Sequence, residues 1–156
     1  MIVIGCDHGG VALKDFLVEK LRARGVDIED VGTQGGDSVD YPDFGRRVAE
    51  KVASGGAERG ILLCTSGIGM SMVANKYPGV RAALVHEPKG AQMSREHNDA
   101  NVLVLGGGVV EPPMAEKILS IWLETPFAGG RHQRRVDKIA EVERELGTRL
   151  QEKNRK

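Results

Sequence analysis

Short runs of apolar and β-branched residues recur along the chain at Ile2–Ile4, Val26–Val31, Gly60–Cys64, Val80–Val85 and Val102–Leu105. Each is followed by a stretch in which apolar positions return every three or four residues, so strand and helix alternate. Most of the runs are almost continuously apolar, as strands covered by helices on both faces require. The pattern predicts an α/β fold built on a five-stranded parallel sheet. Between the runs, Val11–Arg24 carries Leu13, Phe16, Leu17 and Leu21 on one helical face, and Phe44–Ala53 carries Phe44, Val48 and Val52. Gly25, just past Arg22 and Arg24, suits the left-handed residue that ends a helix. Pro112 and Pro113 suit the first turn of a helix running to about Leu123, where the missing N–H costs no hydrogen bond.

The last segment, from Arg131 onward, places Val136, Ile139, Val142, Leu146 and Leu150 at intervals of three and four. It predicts one amphipathic helix over about 131–150, with the polar residues 151–156 fraying. Coming after a completed sheet, such a helix covers either its own core or another subunit, and the expectation is a partner. The 156 residues, with no internal repeat or low-complexity linker, suit a single domain over 1–156.

Composition narrows the function classes. The 22 basic and 22 acidic residues cancel, so no global field draws the chain onto nucleic acid or membrane, and any anion must be held locally. Aromatic residues make up 4%, too few for the stacking platforms that grip single strands. No stretch approaches the roughly 20 apolar residues that span a bilayer, and the expectation is a cytoplasmic protein. Cys6 and Cys64 are expected to be free thiols.

Ligands of open parallel sheets bind beyond the carboxyl ends of the strands. Cys6-Asp7-His8-Gly9-Gly10 follows the first strand and Cys64-Thr65-Ser66-Gly67-Ile68-Gly69 the third, while His97-Asn98-Asp99 precedes the fifth. The second of these is a glycine-spaced turn into a helix over Met70–Lys76, an arrangement that brings backbone amides close to an anion. A thiol beside such amides can serve as base or nucleophile. His8 and His97 each have carboxylate neighbours in sequence and are candidates to reach one face as proton shuttles. Arg131, Arg134 and Arg135, with His132 among them, sit at the positive end of the final helix dipole; an anionic ligand would explain cations there, as would surface salt bridges.

Together these segments resemble ribose-5-phosphate isomerase of type B, within the larger group that includes the galactose-6-phosphate isomerase subunits. The resemblance rests on Gly5-Cys6-Asp7-His8-Gly9-Gly10, Asp40-Tyr41-Pro42, Gly60 through Gly69, Ala74-Asn75-Lys76, Ser94-Arg95-Glu96-His97-Asn98-Asp99, and Gly130-Arg131-His132-Gln133 with Arg135. It implies a Rossmann-like three-layer α/β/α sandwich, no metal or organic cofactor, and a homodimer, or a dimer of dimers, whose sites are completed by the partner subunit. By position it implies that Cys64 is the base moving a proton between C1 and C2 through a cis-enediolate, with Ser66 and the amides of Thr65, Gly67, Ile68 and Gly69 stabilising the oxyanion. It further implies that His97 helps to open the furanose ring beside Asn98, that Asp7 and Tyr41 contact sugar hydroxyls, and that His8, Arg131 and Arg135 grip the phosphate. Some relatives carry a glutamate base where this chain has Met70. Many also carry an arginine at the position that aligns with Gly108, and its absence bears on which sugar phosphate is bound. The alternatives are another tetrose, pentose or hexose phosphate, or a module that binds sugar phosphates without turnover. A dinucleotide site is disfavoured, because the first strand does not run into a Gly-x-Gly-x-x-Gly turn.

Overall fold

The structure is a computed structural model and describes residues 1–154. Strands and helices alternate as β1 (Ile2–Cys6), α1 (Val11–Ala23), β2 (Ile28–Asp30), α2 (Tyr41–Ala53), β3 (Arg59–Cys64), α3 (Ile68–Ala74), β4 (Ala82–Leu84), α4 (Pro88–Glu96), β5 (Val102–Gly106), α5 (Pro112–Glu124) and α6 (Arg131–Asn154). The five strands are parallel, in the order β2-β1-β3-β5-β4. The architecture is the expected Rossmann-like α/β sandwich. After β1 the chain goes to β2 on one side and then crosses to β3 on the other, so the order reverses between β1 and β3. That switch point leaves a crevice at the carboxyl ends of the two strands, where neighbouring loops part to opposite faces.

Alternation along the strands divides the interior. Ile4, Cys6, Ile61, Leu63, Leu103 and Leu105 pack with α1, α4 and α5, including the fully buried Trp122. Val3, Leu62, Cys64, Val102 and Val104 pack with α2 and α3. Cys6 and Cys64 therefore end adjacent strands but face opposite sides of the sheet, and both are free thiols.

The boundaries differ from the sequence expectations where tertiary context intervenes. The edge strands β2 and β4 have three residues each, because each finds a ladder partner on one side only. The Asn75 amide supplies a substitute on the open edge of β4: its Nδ2 donates to the Ala82 carbonyl, and its Oδ1 accepts the Ala82 N–H. Helix α3 begins at Ile68, not Met70, because Gly67 adopts φ 78° and turns the chain at once. Gly25 ends α1 as expected: its N–H reaches the Arg22 carbonyl and that of Val26 the Leu21 carbonyl, the paired bonds of a Schellman motif. Pro112 and Pro113 open α5.

Helix α6 runs to Asn154, four residues past the expected end, since Gln151, Glu152 and Lys153 are good helix formers; the rest of the segment expected to fray, 155–156, lies outside the described residues. None of its side chains is buried, and Ile139, Val142, Leu146 and Leu150 are 43–61% exposed. With Val80 and Ala82, Ile139, Val142 and Leu146 line a groove of about 430 Å³. Among the described residues no helix is long and apolar enough to cross a membrane.

Candidate active site

The crevice between β1 and β3 is built by close backbone approach. Glycines make this possible: a Cβ on Gly9 would lie 2.1 Å from Thr65 Oγ1, and one on Gly107 would lie 2.6 Å from the Gly9 carbonyl oxygen. The loop after β5 backs the loop after β3, with Gly107 N–H donating to the Cys64 carbonyl at 2.7 Å and Gly108 N–H to that of Thr65 at 2.9 Å. Three loops thus converge on the end of β3.

Cys64 sits at that end, 6% exposed, and the Gly67 N–H donates to its Sγ at 3.1 Å. The contact requires the left-handed turn at Gly67, where any Cβ would meet Leu84 Cδ1 at 2.5 Å. The Ile68 N–H donates to Ser66 Oγ at 3.2 Å, so two amides of the loop are engaged within it and Ser66 is held at the mouth. Tyr41, 39% exposed, lays its ring against Gly69, where a Cβ would come within 2.6 Å of ring carbons. Asp7 is buried, and its Oδ1 accepts the Gly9 N–H at 2.9 Å. His8 is exposed, and its Nδ1 accepts the Val39 N–H at 3.1 Å, so a neutral ring carries its proton on Nε2. Asp7, His8, Tyr41 and Cys64–Gly69 therefore share one end of the sheet.

The other candidates do not join them. His97 caps the carboxyl end of α4, which returns the chain to the amino ends of the strands. The register pairs Gly60 with Val102 and Cys64 with Gly106, and Gly60 N–H also bonds to the Asn101 carbonyl. His97 and Asn98 are thus separated from Cys64 by at least four residues of strand, about 13 Å. The expectation that His8 and His97 reach one face is corrected: within one chain they lie at opposite ends of the sheet. Their sequence-adjacent carboxylates also go elsewhere, Asp7 to the Gly9 amide and Asp99 to Arg81 and Arg95.

His97 instead stacks on His132, with ring centroids 4.3 Å apart and planes 9° from parallel. Arg131 and Arg135, both exposed, flank His132 on the first turn of α6, and Arg134 is exposed beside them. Partial loss of hydration, then the proximity of His97, Arg131 and Arg135, holds His132 below the ordinary histidine value of 6.5. Just below pH 6.5 the folded chain therefore binds fewer protons than the unfolded chain, and stability falls as pH drops through that value. The candidate residues thus form two clusters: one of thiol, carboxylate and loop amides, the other of imidazoles and guanidinium groups.

A model of the ribose/galactose isomerase family matches residues 2–139. The chain belongs to that family. It is similar to ribose-5-phosphate isomerase B of Escherichia coli (strain K12), 46% identical over 142 residues that cover 91% of this chain and 95% of that protein. Its fold is similar to that of Clostridium thermocellum ribose-5-phosphate isomerase B, with a TM-score of 0.91, 52% identity, and 93% of this chain and 98% of that one covered. It is also similar to ribose-5-phosphate isomerase B of Mycoplasma genitalium, solved with bound ribulose 5-phosphate, with a TM-score of 0.89, 42% identity, and 92% and 96% covered.

Within this ribose/galactose isomerase fold, supporting residues also lie outside the motifs that carry the chemistry. Lys14 shares the apolar face of α1, three and seven residues before Leu17 and Leu21, and is fully buried there. Its Nζ bonds Asp30 at 2.7 Å, Asp15 at 3.1 Å and the Thr33 carbonyl at 3.3 Å, pinning the loop whose far end supplies the Val39 amide to His8. These partners raise the ammonium pKa against the opposing effect of burial. Cys6 lies nearby, and burial pushes its thiol up to about 12, which removes it as a nucleophile. Among the described residues no group of three or more His, Cys, Asp or Glu side chains is gathered closely enough to hold a metal ion.

Proposed function

We propose that the protein interconverts ribose 5-phosphate and ribulose 5-phosphate, and that each site joins the Cys64 half-site of one chain to the His97 half-site of a second copy. The observation that carries this reading is the placement of the Cys64 sulfur at the switch point, under the Gly67 amide and beside Ser66. Similarity to proteins named ribose-5-phosphate isomerase B, one solved with ribulose 5-phosphate, supports it. An aldose–ketose isomerase needs one base that reaches both C1 and C2, and donors for the oxyanion between them. Cys64 takes the proton from C2 of the opened aldose and returns it to C1, while the O2 hydroxyl proton passes to O1, so that the carbonyl moves from C1 to C2. Ser66 and the amides of Thr65 through Gly69, those of Gly67 and Ile68 turning from Cys64 Sγ and Ser66 Oγ to the ligand, hold the enediolate oxygen that bears charge between these steps.

The remaining candidates divide by position. His97 of the second copy delivers a proton to the ring oxygen as the furanose opens, and Asn98 sits beside it. Asp7 and Tyr41 contact sugar hydroxyls. His8, with Nε2–H free to donate, holds the phosphate together with Arg131 and Arg135 from the other copy. Two-fold symmetry makes the exchange reciprocal, so a dimer has two such sites. The exposed stripe Ile139, Val142, Leu146 and Leu150 is the apolar surface that a second copy would cover.

Gly108 favours keeping a second reading of the substrate. It is exposed beside Thr65, 3.2 Å from where its Cβ would stand, so an arginine there would reach out from the mouth of the site. Without that cation the distance from base to phosphate is less constrained, and another tetrose, pentose or hexose phosphate is the alternative. A coupled assay across four- to six-carbon sugar phosphates is the test. The highest kcat/KM is expected on ribose 5-phosphate, and turnover of none would leave a binding module.

Arg131→Ala or Arg135→Ala should weaken substrate binding by about 1.5–3 kcal/mol, the size of a charge-assisted hydrogen bond, and inhibition by inorganic phosphate should weaken in parallel. Unchanged phosphate inhibition would make both residues surface charges only.

A further inference from the structure

Among the described residues Asp99 is the one non-glycine residue with positive φ, at 46°. It follows His97 and Asn98 directly, and its N–H bonds to the Arg95 carbonyl at 3.1 Å. It therefore holds the left-handed position that closes helix α4, a place glycine fills most readily. An L-residue there carries backbone strain that its surroundings must offset.

The surroundings are two guanidinium groups. Arg81, which leads into β4, donates from Nε to the Asn98 carbonyl at 2.9 Å, and from Nη2 to the Asp99 carbonyl at 2.8 Å and to Asp99 Oδ2 at 3.1 Å. Arg95 donates from Nη1 to Asp99 Oδ1 at 2.8 Å and to the Ala100 carbonyl at 2.7 Å. Both cations are themselves fixed. The Arg81 backbone N–H donates to Asn101 Oδ1 at 2.8 Å, and Arg95, 6% exposed, lies over the Trp122 ring at 5.9 Å. A glycine at 99 would satisfy the backbone turn and keep its carbonyl for Arg81, but would offer no carboxylate to either guanidinium. The turn that presents His97 and Asn98 is thus bound on both carboxylate oxygens and on three consecutive carbonyls.

We infer that Asp99 is a positioning residue for the isomerisation: held by Arg81 and Arg95, its carboxylate fixes the turn that aims His97 and Asn98 at the site completed by the second copy. The inference rests on the proposed role of His97, but the geometry it asserts can be read separately. A mobile turn would let the His97 ring leave its stack on His132 and arrive in many orientations. Misplacement of a catalytic group by about 1 Å is enough to cost orders of magnitude in rate.

The test compares Asp99→Gly, which keeps the backbone preference and removes the carboxylate, with Asp99→Asn, which keeps size and tolerates left-handed φ. Both are expected to fold, with kcat on ribose 5-phosphate at least about tenfold lower and KM changed less. In a His97→Ala background Asp99→Gly should add no more than about a twofold loss, because residues acting through one group are not additive. The histidine ring proton signals, assigned by comparison with His97→Ala and His132→Ala, should lose the displacement that stacked rings impose on each other in both Asp99 variants. Turnover within twofold of the parent would overturn the inference, as would an equal further loss in the His97→Ala background. If His97→Ala itself leaves turnover normal, the proposed role of His97 fails, and the ring signals alone decide the clamp: unchanged signals in the Asp99 variants refute it.

Discussion

Replacing Cys64 by alanine is expected to lower turnover by at least about 10²-fold, with a much smaller change in KM, because the variant keeps the site and loses the group that moves the proton. The side chain is small and nearly buried, 6% exposed, so its truncation leaves the converging loops their backbone hydrogen bonds. Cys64→Ser is the sharper comparison. It preserves size and the Gly67 amide contact, but a hydroxyl gives up its proton far less readily than a thiol, so turnover should also fall. Steady-state assays on ribose 5-phosphate measure both effects, and near-normal turnover in either variant would remove Cys64 as the base. Cys6 is the control. Its thiol lies on the opposite face of the sheet with its pKa pushed up to about 12, and Cys6→Ser should retain activity.

Mixing impaired Cys64→Ala subunits with impaired His97→Ala subunits should raise activity well above that of either variant alone on subunit exchange. The expectation follows from the placement of the two residues at opposite ends of the sheet, about 13 Å or more apart along the strand direction. In a heterodimer one site receives the intact Cys64 of one chain and the intact His97 of the other, and the second site lacks both. Statistical exchange makes half the dimers mixed, so recovery should approach about a quarter of the parent activity. On the proposed dimer the exposed apolar stripe on α6 would supply the adhesion, since each large side chain buried contributes roughly 1.5–3 kcal/mol. Heterodimers confirmed by native mass spectrometry but without that rise would establish that each site is built from one chain.

Much of the fold was legible because it rests on local periodicity. The apolar runs ending at Ile4, Cys64 and Leu105 mark strands β1, β3 and β5, because strands buried on both faces tolerate little else. Gly25 and Pro112 mark helix ends, because backbone conformation there depends on the residue itself. The sequence predicts edge strands over Val26–Val31 and Val80–Val85, longer than β2 and β4, since apolar character does not say how many residues find a ladder partner. The sequence predicts α3 from Met70, because no rule of composition says which glycine, Gly67 or Gly69, takes the left-handed turn. In the folded chain Gly67 takes it, at φ 78°.

The candidate site divides in the same way. Residue types that carry chemistry, Cys64 with its glycine-spaced loop and the arginines at the head of α6, stand out in the sequence by itself, because their reactivity and charge are properties of the side chains and their near neighbours. Which of them meet was decided only by the tertiary structure. Parallel strands send every connecting helix back to the amino end of the sheet, so α4 delivers His97 and Asn98 to the far side from Cys64 whatever their chemistry suggests. Lys14 buried against Asp30, the Val39 amide on His8, the His97–His132 stack and the two guanidinium groups on Asp99 join residues distant along the chain. Local pattern marks where strands, helices and reactive groups lie along the chain; the packing of the elements sets their limits and gathers the groups into two separate clusters.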